Sequence, residues 1–478
     1  MDKPHFLVVT YPVQGHINPA LHLATRLSQI AGAHITFSTA VSAHRRMFPS
    51  SATHDQEIED GPISYMPYSD GYDDGFKDYG DKPKVDHFMS QSKQIASRNL
   101  SNLVVAIAAR SHPVTCIIYT LFSPWVAGVA RHHKIPSILY WIQSAAVFAS
   151  FYHYFHGYDG LVKAHRSDPL FTVNLPGLPP IQIRDLPSFL TISADDTFYS
   201  GLVTFHEVFA AMDGQQTWPK PKVLVNTFNT LEVDGLAAVD EVDLITVGPL
   251  LPSEFKQGKV GKKEKSDLFE PDEKAYMEWL DSKPERSVVY VSFGSVFVVK
   301  KRQFEEMLWG LKECGRPYLW VVRKDNRGEG ILELEEEENG MVVEWCSQVK
   351  VLSHRSVGCF VTHCGWNSTL ESLASGVPTV AVPQMADQRM NAKLTEEAWG
   401  TGIRGVVNEE GVLEGNELGR CLEVVMGEGQ KGEEIRRRAE MWRDRAREAI
   451  GRGGSSDQNL RTFVKEVTKF CGLSTVDC

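Results

Sequence analysis

The sequence predicts an α/β protein made of two doubly wound, mainly parallel domains that face each other across a cleft. Three observations predict it. Short apolar runs alternate with amphipathic stretches along most of the chain, the pattern of parallel strands covered on both faces by crossover helices. The alternation is interrupted once, by the Lys-rich "SEFKQGKVGKKEKSDLFEP", and then restarts. And 478 residues, 42% of them hydrophobic, are enough for two or three cores at roughly 150 residues each.

The elements follow in order. "HFLVVT" reads as a strand, "YPVQGHI" as a loop, "NPALHLATRLSQIAG" as an amphipathic helix and "AHITFST" as a second strand. Asn18 suits the N-cap of that helix, Pro19 its first position and Gly32 its C-terminal stop. "VTCIIYT", "SILYWIQ" and "KVLVNTF" continue the sheet. Residues 1–250 then form the first domain and 251–270 a solvated linker. In 271–455 the pattern restarts with "SVVYVSFGS", a helix carrying Phe304, Leu308 and Leu311, then "YLWVVR", "GMVVEW", "VGCFVTH", another helix and "TVAVP". Residues 456–478 read as a helix that packs back on the first domain. Ligands of such open sheets sit outside the carboxyl ends of the strands.

Charge and composition exclude whole classes of function. The net charge is −11 with no concentrated basic tract, which argues against a nucleic-acid partner. No apolar run approaches the roughly 18 residues of a membrane span, and the N-terminus lacks the basic and small-residue flanks of a signal peptide. The expectation is a cytoplasmic protein. Its eight cysteines are scattered, as reduced thiols are, and no protein partner is readable. "DGYDDGF" fails as a calcium loop because Tyr72 takes the third ligand position. Cys359, Cys364, His354 and His363 fail as a zinc set, since there is no C-x2-C pair and the two cysteines are oddly spaced on one strand. A nicotinamide site is excluded by a first turn with one glycine and no G-x-G-x-x-G.

Chemistry concentrates at "THCGWNSTLESLASGVP", Thr362 to Pro378, where a buried strand meets a helix starting near Asn367 and stopping at Gly376. A helix start offers free N–H groups and a positive dipole end to an anion. The dipole contributes only about 0.3–1 kcal/mol, whereas hydrogen bonds to charged groups contribute about 1.5–3 each. A diphosphate therefore also needs side-chain donors, and His363, Asn367, Ser368 and Ser295 are placed to supply them. An ordinary capped helix with a core histidine explains the junction taken alone. Trp345 is suited to stacking on a base, Glu371 to accepting two ribose hydroxyls, and Asp387 beside Gln388 to adjacent sugar hydroxyls.

From Trp345 to Gln388 the chain reads "WCSQVKVLSHRSVGCFVTHCGWNSTLESLASGVPTVAVPQMADQ". This resembles the signature box of plant secondary-product UDP-glycosyltransferases. The resemblance extends through "QGHINPALHLATRL", "VLVNTFNTLE", "VGPLLPS", "SVVYVSFGS" and "GSSDQNLRTFV" to essentially the whole chain. It implies the two-domain GT-B fold, with UDP-glucose as donor substrate and neither cofactor nor metal. It also implies that Trp345 stacks on uracil, that Gln348 and Glu371 bind the ribose region, and that His363, Asn367, Ser368 and Ser295 hold the diphosphate. Trp366, Asp387 and Gln388 would hold the sugar, with the terminal Gln favouring glucose over galactose.

The resemblance implies that His16 is the base that deprotonates the acceptor hydroxyl, which attacks the anomeric carbon and inverts it. Many relatives orient that histidine with an Asp; this chain has Thr120 there, which can hydrogen-bond to an imidazolium but cannot neutralise it. Met385 stands where relatives commonly carry Trp. Phe122, Trp141, Gln143, Phe148 and Tyr152 are candidates for an aromatic acceptor pocket, with plain core packing an equal alternative for each. "YSDGYDDGF" and "LPGLP" place the chain near anthocyanin 5-O-glucosyltransferases and crocetin glucosyltransferases. The expected reaction is glucosylation of a phenolic or flavonoid hydroxyl, an anthocyanin 5-hydroxyl among them. Two alternatives stand beside it: ester formation on a carboxylate such as crocetin or a phenolic acid, which needs little base, and a UDP-sugar-binding protein without turnover.

Overall fold

The computed structural model describes residues 3–49, 55–110, 112–215, 217–252, 273–295, 299–323 and 339–472. The expected linker at 251–270 and the acidic run "ELEEEENG" lie almost wholly outside the described residues. The chain divides into two compact units, Met1–Leu268 with Ala449–Cys478, and Phe269–Glu448.

The first unit contains β1 (His5–Val9), β2 (His34–Ser38), β3 (Ile58–Asp60), β4 (Ile63–Tyr65), β5 (Cys116–Thr120), β6 (Ser137–Trp141), β7 (Thr172–Val173), β8 (Ile181–Gln182), β9 (Lys222–Val225) and β10 (Asp243–Thr246). Eight of these form one sheet in the order β10-β9-β6-β5-β1-β2-β4-β3, and β7 pairs with β8 alone. Neighbours in the large sheet are parallel except β3 with β4. In β1, β5 and β6 every residue is buried, which is why these strands read as unbroken apolar runs rather than alternations. Strand order reverses between β5 and β1, and the carboxyl ends of those two strands flank the crevice where ligands of such sheets bind.

The first helix runs from Gln14 to Ala31 and ends at Gly32 in the left-handed conformation (φ 54°), the stop expected from the sequence. Its start differs. Asn18 is not the N-cap and Pro19 lies inside the helix, because the Val13 carbonyl already accepts from the N–H groups of His16 and Ile17, both at 3.0 Å. Asn18 instead accepts from the Gln14 amide at 3.0 Å. His16 thereby sits in the first helical turn, not at the end of a loop.

The last helix, Ser455–Phe470, belongs to the first unit. Phe463 packs against Phe6, Asp457 is 2% exposed and pairs with Arg26 at 2.8 Å, and Asn459 donates to the Thr246 carbonyl at 3.0 Å.

The second unit has β11 (Val288–Ser292), β12 (Tyr318–Val321), β13 (Gly340–Val343), β14 (Val357–Thr362), β15 (Thr379–Ala381) and β16 (Gly402–Arg404), all parallel, in the order β13-β12-β11-β14-β15-β16. Residues alternate between two cores. Val289 and Val291 join Cys359, Val361, Trp320 and Phe304 on one face, while Val288 and Tyr290 join Phe360, Leu319 and Val351 on the other. Phe360 is fully buried with its ring stacked 4.9 Å from Tyr290, so Phe360→Ala would cost about 3–5 kcal/mol. Here the order reverses between β11 and β14, the two strands that lead into Ser295 and His363.

Candidate active site

In the second unit the expected donor residues gather at strand ends around the helix Trp366–Ser375, which starts one residue before Asn367 and stops at left-handed Gly376. Gln348 links three of them: its Nε2 donates to Ser368 Oγ at 2.8 Å and to Glu371 Oε2 at 2.6 Å. Its carbonyl accepts from Tyr290 Oη at 3.3 Å. Ser368 and Glu371, three apart on the helix, face the same side. Trp345 is partly exposed just beyond β13.

His363 directly follows β14 and lies between two glycines. A Cβ on Gly294 would come within 2.8 Å of its Nε2 and one on Gly365 within 2.6 Å, so only glycine fits on either side of the ring. Gly294 also has φ +73°, a conformation costly to any side chain. The turn carrying Gly294 and Ser295 is fastened by buried Arg323, whose Nη1 donates to the Gly294 carbonyl at 2.6 Å. Burial lowers the His363 pKa to about 4, which keeps the imidazole neutral at physiological pH. Nothing in the sequence pattern singled out Arg323, because an arginine closing a strand usually faces solvent.

Gln388 and Asp387 lie at the start of the helix Gln388–Lys393, both under 9% exposed. The Gln388 carbonyl accepts from the N–H groups of Gln384 (2.8 Å) and Met385 (3.0 Å), so its NH2 is the end left for a ligand. Asp387 accepts from Asn391 at 2.6 Å, and burial raises its pKa to about 6. The Trp366 indole is 3% exposed and lies 6.0 Å from Trp399.

In the first unit His16 meets Thr120 at the end of β5, with Nδ1 3.3 Å from the hydroxyl. Thr120 Oγ1 also accepts from the Tyr11 N–H (3.3 Å) and lies 3.2 Å from Thr10 Oγ1. In one consistent assignment Thr120 donates to Thr10 and accepts from both Tyr11 N–H and His16 Nδ1–H, and the Leu121 main chain also hydrogen-bonds the His16 ring. The ring is flanked by Tyr11 (5.6 Å) and Phe122 (5.8 Å), and burial lowers its pKa to about 3.

Phe122 is brought to His16 with a strained backbone (φ 63°) and packs against Phe189 and Phe205. Trp141 and Phe148 are fully buried with Phe209, and Tyr152 stacks on His156 at 4.0 Å. Gln143 follows β6 with a buried Oε1 that has no hydrogen-bond partner. Tyr11, Phe189 and Phe205 were missed by sequence reasoning, since aromatic residues in a loop, a short turn and a helix carry no common period.

The fold is the GT-B arrangement of two Rossmann-like α/β units, the class of glycosyltransferases. A family model described as UDP-glucoronosyl and UDP-glucosyl transferase matches residues 202–453. The chain is 48% identical to phloretin 4'-O-glucosyltransferase of Malus domestica and 47% identical to the chloroplastic crocetin glucosyltransferase of Gardenia jasminoides, covering 98% of both chains in each case. Among solved structures, the T291V form of Os79 from O. sativa with UDP superposes with a TM-score of 0.80 at 30% identity, over 97% of this chain and 100% of that one. This chain belongs to the UDP-glucosyltransferase family and is an enzyme of that family. Among the described residues no helix is long and apolar enough to cross a membrane.

Proposed function

We propose that the protein transfers glucose from UDP-glucose to a phenolic or flavonoid hydroxyl, with inversion and without a metal. The observation that carries the reading is His16, a neutral imidazole with Nδ1 anchored on Thr120 and its ring set among Tyr11 and Phe122. On the donor side, Trp345 stacks on uracil, Gln348 and Glu371 take the ribose, and His363, Asn367, Ser368 and Ser295 take the diphosphate together with the first N–H groups of the helix Trp366–Ser375. Asp387 accepts and Gln388 donates to sugar hydroxyls. The acceptor oxygen forms its bond to the anomeric carbon as the bond to the β-phosphate oxygen breaks. The electron pair leaves with UDP and the phenolic proton passes to His16 Nε2.

A second reading, ester formation on a carboxylate, is favoured by Thr120. A hydroxyl partner leaves His16 a weak base, and an ionised carboxylate has no proton to remove. The two relatives named above divide along this line, one named for a phenol and one for crocetin, a carboxylic acid. The test is UDP release from UDP-glucose with a flavonol, an anthocyanin, a phenolic acid and crocetin, with products typed by mass and alkaline lability. A base-stable glucoside whose formation falls by about 10²–10⁴ in His16→Ala supports the first reading. An alkali-labile product formed equally well by His16→Ala supports the second.

A further inference from the structure

One buried amide spans two parts of the donor site. Asn391 has 0% exposure, and its Nδ2 donates to Asp387 Oδ2 at 2.6 Å and to the Cys364 carbonyl at 3.0 Å. An asparagine NH2 has two hydrogens, one for each of these acceptors. Cys364 is a non-glycine residue at φ 61° that turns the chain from β14 into the helix Trp366–Ser375, immediately after His363. Asp387 lies four residues before Asn391, one helical turn away on the same face.

We propose that Asn391 is a positioning residue that fixes the Asp387 carboxylate against the turn at His363–Gly365, and so sets where the sugar sits relative to the diphosphate. This rests on the reading of Asp387 as an acceptor for sugar hydroxyls. A carboxylate on a two-bond side chain has several rotamers, and a donor anchored on rigid main chain selects one. The turn does not depend on Asn391 alone, because the Cys364 N–H donates to Thr362 Oγ1 at 3.2 Å. Loss of the amide therefore frees Asp387 while the diphosphate turn stays in place.

The experiment is a double-mutant cycle with Asn391→Ala, Asp387→Ala and the double variant, reading KM for UDP-glucose and, by calorimetry, Kd for UDP, which has no sugar. Asn391→Ala is expected to raise KM by about ten- to a hundredfold, the range for a buried hydrogen bond to a charged group. It leaves UDP affinity near wild type and adds nothing in the Asp387→Ala background. Additive losses, or UDP affinity falling as far as UDP-glucose affinity, overturn the positioning role while Asp387 keeps its own. An unchanged KM in Asp387→Ala overturns the sugar-site reading and the proposal with it. Should Asn391→Ala fail to fold, Asn391→Ser, smaller and still polar, is read in the same cycle with the same criteria.

Discussion

Replacing Thr120 by Asp puts a carboxylate beside His16 and tests how the base is tuned. Thr120 Oγ1 lies 3.3 Å from His16 Nδ1 and accepts from the Tyr11 N–H; an Asp oxygen there keeps accepting from both. At about 4 Å and an effective dielectric constant near 20, unit charges interact by about 4 kcal/mol, an upper bound. Measured shifts for such neighbours are about 1–3 pKa units, so the imidazole would rise from about 3 toward the range of an ordinary histidine. With a Brønsted coefficient of about one half, that is worth about 3- to 30-fold in proton removal. The assay is kcat/KM near neutral pH with a phenol and with a carboxylic acid, at saturating UDP-glucose. Thr120→Asp should speed transfer to the phenol by that factor, leave the carboxylic acid nearly unchanged, and move the acid limb of the phenol profile to higher pH. A phenol rate unchanged in Thr120→Asp, with His16→Ala still inactive on phenol, would refute the account of His16 as a base limited by its partner.

Three further outcomes follow from the site. Glu371→Ala removes one of the two acceptors of Gln348 Nε2 and the proposed ribose acceptor, and should raise KM for UDP-glucose and Kd for UDP together, by about ten- to a hundredfold; calorimetry with UDP separates this from an effect on the sugar. Gly365→Ala places a methyl within 2.6 Å of His363 Nε2, so it should displace the ring and weaken UDP binding about tenfold or more while acceptor binding to the first unit, read by fluorescence quenching, is retained. The fold holds His16 and His363 neutral, with pKa values lowered by burial to about 3 and about 4 from 6.5. The unfolded chain then takes up protons first, so the stability these groups contribute is present above about pH 6.5 and declines as pH falls toward 4. Melting temperature should drop over that window, and less steeply in His363→Asn.

Much of the fold was legible because buried parallel strands leave a signal in one dimension. β1, β5, β6, β11 and β14 are buried along their whole length and mostly apolar, and left-handed stops at Gly32 and Gly376 are written in the residue itself. The donor residues were legible for a related reason. Trp345 to Gln388 is a local stretch, and Gln348, Ser368 and Glu371 meet because the helices Gln348–Leu352 and Trp366–Ser375, joined through β14, are close along the chain. The start of the first helix was not legible. Asn18 and Pro19 obey the capping rule, but main-chain bonds to Val13 nucleate the turn earlier. Short strands such as β3, β4 and β16, three residues each, lack a period long enough to detect.

The sequence by itself determined the two α/β repeats and the strand-to-helix junction at His363, and it named the residues proposed for the donor side, since all depend on residues close along the chain. The tertiary structure alone decided that Thr120 is the hydrogen-bond partner of His16 from 104 positions away and that Phe189 and Phe205 close on Phe122. It also decided that Trp366 turns its ring inward and that Asn391 ties Asp387 to Cys364. These contacts depend on which strands become neighbours and on which side chains win the space between them. Packing makes that choice over the whole fold, and no local pattern records it.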